Sequence, residues 1–70
     1  MQIGTALNLK YGAQVLVPYN GALHLATVLK AVPQQYSLTP LCHVFVAIQR
    51  SSAVTVRLTV PHRQVKLLQP

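Results

Sequence analysis

The chain contains no aspartate and no glutamate. Without carboxylate side chains the usual glycosidase and aspartic-protease sites are closed, because both depend on an acidic general acid or base. Mg²⁺ and Ca²⁺ lose the hard oxygen ligands that hold them, and metal-assisted phosphoryl transfer goes with them. Intrachain ion pairs are excluded except through a C-terminal carboxylate. Tryptophan is absent, and Cys42 is the only cysteine, so no intrachain disulfide can form. That usage fits a reducing compartment. No apolar run approaches the roughly 20 residues that cross a bilayer as a helix. The opening MQIGTALNLKYGA lacks a basic segment followed by an apolar run, so no signal peptide is expected. These absences lead us to expect a soluble cytoplasmic protein with no membrane partner, no cofactor and no catalytic residue set.

What is present is apolar and basic. Seventy residues set the size of one small domain, and 51% of them are hydrophobic. A single small core cannot hide that much apolar surface. The excess predicts a homo-oligomer or a protein partner. Six Lys plus Arg give a formal net charge of +6. A uniformly positive surface suits an anionic partner, either nucleic acid, a phosphate-bearing ligand or an acidic protein. The bases are scattered, so the alternative is a solvated surface that keeps a greasy chain in solution.

Residues 14–32, QVLVPYNGALHLATVLKAV, organise the rest. Residues 14–18 read as a short β-branched strand and Tyr19-Asn20-Gly21 as a tight turn. Asn and Gly tolerate the positive φ that two-residue hairpin turns require. Residues 22–32 read as a long strand, able to bend and serve two sheets. On it Ala26 and Val28 share a face with His24 and Lys30, and Leu23, Leu25 and Leu29 lie opposite. Pro33 stops it, and residues 33–40 form a polar loop with Tyr36 and Leu38 as anchors. Residues 41–49 are a third strand with Val44, Val46 and Ile48 on one face and His43, Phe45 and Ala47 on the other. After a turn at residues 50–52, residues 53–60 alternate cleanly, with Val54, Val56, Leu58 and Val60 inward. Residues 61–64 have room for one 3₁₀ turn. Residues 65–68 form a short last strand with Val65 and Leu67 inward. Leu7, Leu9 and Tyr11 alternate with polar residues, so residues 1–11 are expected as an extra N-terminal strand or a flexible arm.

The predicted fold is therefore all-β: a small five-stranded antiparallel barrel over residues 12–70. A flat sheet of this size would leave one face bare. This order resembles the SH3-like barrel, and within it the Tudor-like barrels. Residues 12–17 look like the opening strand, residues 21–32 with Ala26-Thr27-Val28 at their centre like the second, and residues 60–68 like the 3₁₀ turn and closing strand. Tudor-like domains bind methylated Lys or Arg in aromatic cages, which by position would use Tyr19 and Phe45. The chain departs from that pattern in having neither a Trp nor an acid. Other members of the fold bind nucleic acid through basic surfaces and loops. The corresponding candidates are Lys30, Arg50, Arg57, Arg63 and Lys66, with Tyr19 or Tyr36 to stack on a base. Plasmid-type dihydrofolate reductases are similar too, as small barrels sharing a tetrameric pore. Val56-Arg57-Leu58-Thr59 lies where that family carries Val-Gln-Ile-Tyr, with the Gln and Tyr replaced.

His24, His43, His62 and Cys42 are the available soft ligands, but their separation is not that of a zinc site, and no metal is assigned. Non-enzymatic binding of nucleic acid by an oligomer is the leading expectation. The alternative is a protein-interaction module that uses the apolar strand face. Leu23, Leu25 and Leu29 are the expected self-association surface, since three pooled leucines would matter to so small a domain at about 1.5–3 kcal/mol each.

Overall fold

The structure is a computed structural model, and it describes residues 1–34 and 38–68. The hairpin forms where the sequence places it. β1 (Gln14–Tyr19) pairs antiparallel with β2 (Ala22–Pro33), and Tyr19 sits opposite Ala22. Between them Asn20 and Gly21 both take positive φ, 52° and 81°. A mirror-image turn of this kind matches the twist of its flanking strands. Pro18 costs no ladder bond on its outer side, because the strand that pairs there reaches only Val15 and Leu16.

β3 (Cys42–Gln49), β4 (Thr55–Pro61) and β5 (Lys66–Leu67) complete one antiparallel sheet in the order β4-β3-β2-β1-β5. The 3₁₀ turn His62–Gln64 carries the chain from β4 to β5. The described residues are thus all-β apart from short helical turns. The sheet is open: β4 and β5 are its two edges and are not paired with each other. Of the closed or nearly closed antiparallel barrel expected from the sequence, the described residues show the all-β antiparallel sheet and not its closure.

β2 is shared along its length. Residues Ala22 to Thr27 pair with β1, and residues Thr27 to Pro33 pair with β3. The hand-over falls at Thr27 and Val28, where Val28 still exchanges backbone bonds with Gly12 and Ala13. Immediately after it the register with β3 shifts by one residue between Val28 and Lys30. This bulge at Leu29 reverses the alternation of the strand. Lys30 therefore points outward opposite Phe45, and Ala31 packs on the core opposite Val44. The sequence alternation had put Lys30 inward with Ala26 and Val28. The extra residue corrects that assignment.

The core comes from one face of the sheet: Val15, Val17, Ala26, Val28, Cys42, Val44, Val46, Ile48 and Val60, all nearly or wholly buried. Ala6 and Val65 join them from outside the ladder. A helical turn, α1 (Ile3–Leu7), covers the inner face, with Met1, Ile3 and Leu9 packed beside the buried Ala6. Of the two expectations for residues 1–11, a strand or a flexible arm, this corrects the strand. The residues turned to the core are the buried Ala6 with the half-buried Ile3 and Leu9 three positions to either side, while Leu7 and Tyr11 of the supposed strand are exposed.

Three further inward assignments change. Val54 is half exposed in the β3–β4 turn, where its carbonyl accepts from Arg50 and Ser51. Leu67 is 46% exposed although Val65 beside it is buried, since the two-residue β5 runs along the margin of the sheet. Leu38 is fully exposed and anchors nothing, and Tyr36 lies outside the described residues. Among the described residues no helix is long and apolar enough to cross a membrane.

Candidate functional site

The first group of candidate side chains lies at the end of the sheet where the β1–β2 and β3–β4 turns come together through Arg50 and Tyr19. Tyr19 closes β1 on the same face as Val15 and Val17 and packs partly on the core. The two-residue turn fixes the register that puts His24 opposite Val17. That brings the His24 ring edge-on to Tyr19, with ring centroids 5.6 Å apart at 75°. Arg50 follows β3, and its guanidinium carbon lies 5.6 Å from the Tyr19 ring centroid. β1 and β3 are not neighbours, so this contact spans β2 and requires the sheet to curl.

The β3–β4 turn is held by its own bonds. Arg50 donates its backbone N–H to the Val54 carbonyl at 2.9 Å, and the Thr55 hydroxyl donates to Gln49 Oε1 at 3.1 Å. Arg50 is therefore presented from a closed turn. No acidic side chain exists to pair with it, and its guanidinium donors suit an anionic or carbonyl-bearing ligand. A phenol, an imidazole and a guanidinium together make a surface that stacks on flat rings and donates hydrogen bonds.

The other bases occupy different places. Lys30 Nζ sits 4.9 Å from the Phe45 ring centroid on the outer face. Arg57 is on the same face opposite Ala47, in a row that continues through Thr27 to Gln14. Gln14 donates to the Thr27 hydroxyl at 3.0 Å along that row. Lys66 stands opposite Leu16 on β1, and Arg63 is exposed in the 3₁₀ turn. The fold thus joins Tyr19 to Arg50, sets Lys30 and Arg57 on one outer face with Lys66 at the far edge of that face, and leaves Arg63 apart. Tyr36 is outside the described residues.

Tyr19 and Phe45 fall on opposite faces of the sheet, so they cannot wall one cage. The position over Tyr19 where a methylammonium would sit is taken by the chain's own Arg50. Val56-Arg57-Leu58-Thr59 lies in the edge strand β4 with Arg57 and Thr59 exposed. Leu23 and Leu25 are 48% and 53% exposed on the outer face, and Leu25 lies opposite Leu16. Leu29, at the bulge, is half-buried and stands apart from that pair.

Among the described residues no three His, Cys, Asp or Glu side chains converge as metal ligands. His62 is engaged structurally: it is 6% exposed, and its Nδ1 accepts the Cys42 backbone N–H. The Cys42 thiol is wholly buried, and desolvation raises its pKa above the ordinary value against a smaller opposing backbone hydrogen bond at Val32.

Sequence reasoning named Tyr19 and Arg50 but missed His24 as their neighbour. The signal was present, since a two-residue turn at Asn20-Gly21 dictates the pairing of Val17 with His24. No family model matches the chain, and neither a curated protein nor a solved structure matches it.

Proposed function

We propose that this chain is a non-enzymatic small-barrel module of the SH3-like kind that acts in the cytoplasm as a homo-oligomer and binds nucleic acid. The observation that carries the reading is the Arg50–Tyr19–His24 group at the rim of an acid-free chain. These are the side-chain types that stack on bases and neutralise phosphates, and no side-chain carboxylate competes for the cation. Lys30 and Arg57 on the outer face add sequence-independent attraction for a phosphate backbone. The meander order, with a 3₁₀ turn leading a short last strand back to β1, supports the SH3-like assignment.

The test is a titration of labelled single- and double-stranded oligonucleotides with the full chain at two salt concentrations, read by fluorescence anisotropy. Binding is expected at low salt, with affinity falling steeply as salt rises through counterion release. No binding to either at low salt overturns the reading.

A second reading is favoured by Leu16, Leu23 and Leu25, which cluster on the outer face. It makes the partner another polypeptide. Recovery of one stoichiometric protein with the chain, and no nucleic-acid absorbance, would support it over the first.

A further inference from the structure

We infer that the rim group takes one unpaired base, so that the nucleic acid bound is single-stranded. This deepens the proposed function and rests on it.

The groups at the rim engage faces of flat rings, and the bases of a duplex have their faces already covered by their neighbours. The described helical elements offer nothing that would enter a major groove. α1 spans five residues and is fixed to the core through Ala6. The separation of Arg50 and Tyr19 also bears on the ligand. At 5.6 Å it is wider than direct stacking of the two side chains. A base between them needs about 7 Å, twice the contact distance of about 3.5 Å. A small rotation of the exposed Arg50 side chain supplies the difference, while the ring of Tyr19 stays packed on the core. His24, edge-on to Tyr19, forms the wall of the slot.

The turn beside the slot gives the strand a way out. Arg57 lies two residues along β4 from Thr55, so it is about 7 Å below the β3–β4 turn by strand rise. Lys30 lies farther down the same outer face, over Phe45. A backbone leaving the slot over the turn meets Arg57 and then Lys30. The base is held at the rim and the phosphates on the outer face.

The experiment compares a fluorescein-labelled single-stranded decamer with the duplex of the same sequence. Each is titrated with the wild-type chain and with Tyr19→Leu, Arg50→Lys and Arg57→Gln variants, with circular dichroism confirming the fold. The single strand should bind at least tenfold tighter than the duplex. Tyr19→Leu should weaken single-strand binding by roughly 10- to 100-fold, the size of one lost stacking contact. Arg50→Lys keeps the charge and loses the plane, so it should weaken binding several-fold with an unchanged salt slope. Arg57→Gln should instead reduce the salt slope by about one. Equal affinity for duplex and single strand, or a well-folded Tyr19→Leu variant within twofold of wild type, overturns this inference and leaves nucleic-acid binding standing. Failure of the wild type to bind either oligonucleotide at low salt overturns both. If Tyr19→Leu unfolds, Arg50→Lys decides, and wild-type affinity in that variant overturns the slot.

Discussion

The backbone N–H of Cys42 donates to Nδ1 of His62 at 3.1 Å across 20 residues of chain. At this end of the β3–β4 ladder Pro61 lies opposite His43, and the chain then leaves the strand for the 3₁₀ turn. The imidazole stands in for the backbone carbonyl that the next rung would have supplied. The same bond ties the start of β3 to the turn that positions the last strand.

His62→Phe should therefore leave a buried donor without its acceptor. The cost is about 1–3 kcal/mol, read as a lower urea midpoint with little change in slope. His62→Asn, which restores an acceptor oxygen, should recover part of the loss. Equal stability of wild type and His62→Phe would show that the bond contributes nothing.

The Cys42 thiol should be inert in the native protein. Burial removes it from reagents and holds its pKa above the ordinary thiol value, so it stays protonated at neutral pH. Ellman's reagent should react fully only after denaturation. The native state keeps a proton that the unfolded chain releases, so this contribution is complete below the ordinary thiol pKa and is lost as pH rises above it. Rapid native labelling at neutral pH would contradict the buried geometry.

Gly21 carries a φ of 81°, and a Cβ built there meets nothing within 4 Å. The penalty of Gly21→Ala is therefore conformational and not a clash, about 1–2 kcal/mol for a left-handed L-residue. Asn20→Gly should be close to neutral, because its φ of 52° is one that asparagine already tolerates. Thermal melts of the two variants should separate accordingly.

If the homo-oligomer uses the outer leucines, Leu23→Lys with Leu25→Lys should lower the mass seen by light scattering while keeping the β-sheet circular dichroism spectrum. Both side chains are about half exposed, so the substitutions open no cavity in the core. Leu29 is left out because it is half-buried at the bulge. An unchanged mass would place the contact elsewhere.

The sheet was legible where the chain uses period-two alternation closed by Pro or Asn-Gly. The hairpin, β3, β4 and the turn after Pro61 all follow from that. The helical turn was not, because Ile3-Gly4-Thr5 are poor helix formers and Gln2 at the N-cap makes no side-chain capping bond. Burial of Ala6 makes that turn, and burial belongs to the tertiary fold. The bulge was hidden for a similar reason: Leu29 carries no glycine or other local mark of an extra residue. Half of the rim could be read from hairpin register. The other half, Arg50 over Tyr19, depends on the curl of a sheet whose curvature no local pattern encodes.

Leu29 also sets how the chain tolerates change in length. A substitution there alters one side chain. A deletion there would remove the extra residue and leave an uninterrupted ladder, with Val28 opposite Val46 and Lys30 still outward opposite Phe45. Every later residue of β2 would keep its side, and what would go is the local bend and added twist of the bulge. The bulge is therefore a place where this strand can lose one residue without turning its later side chains over.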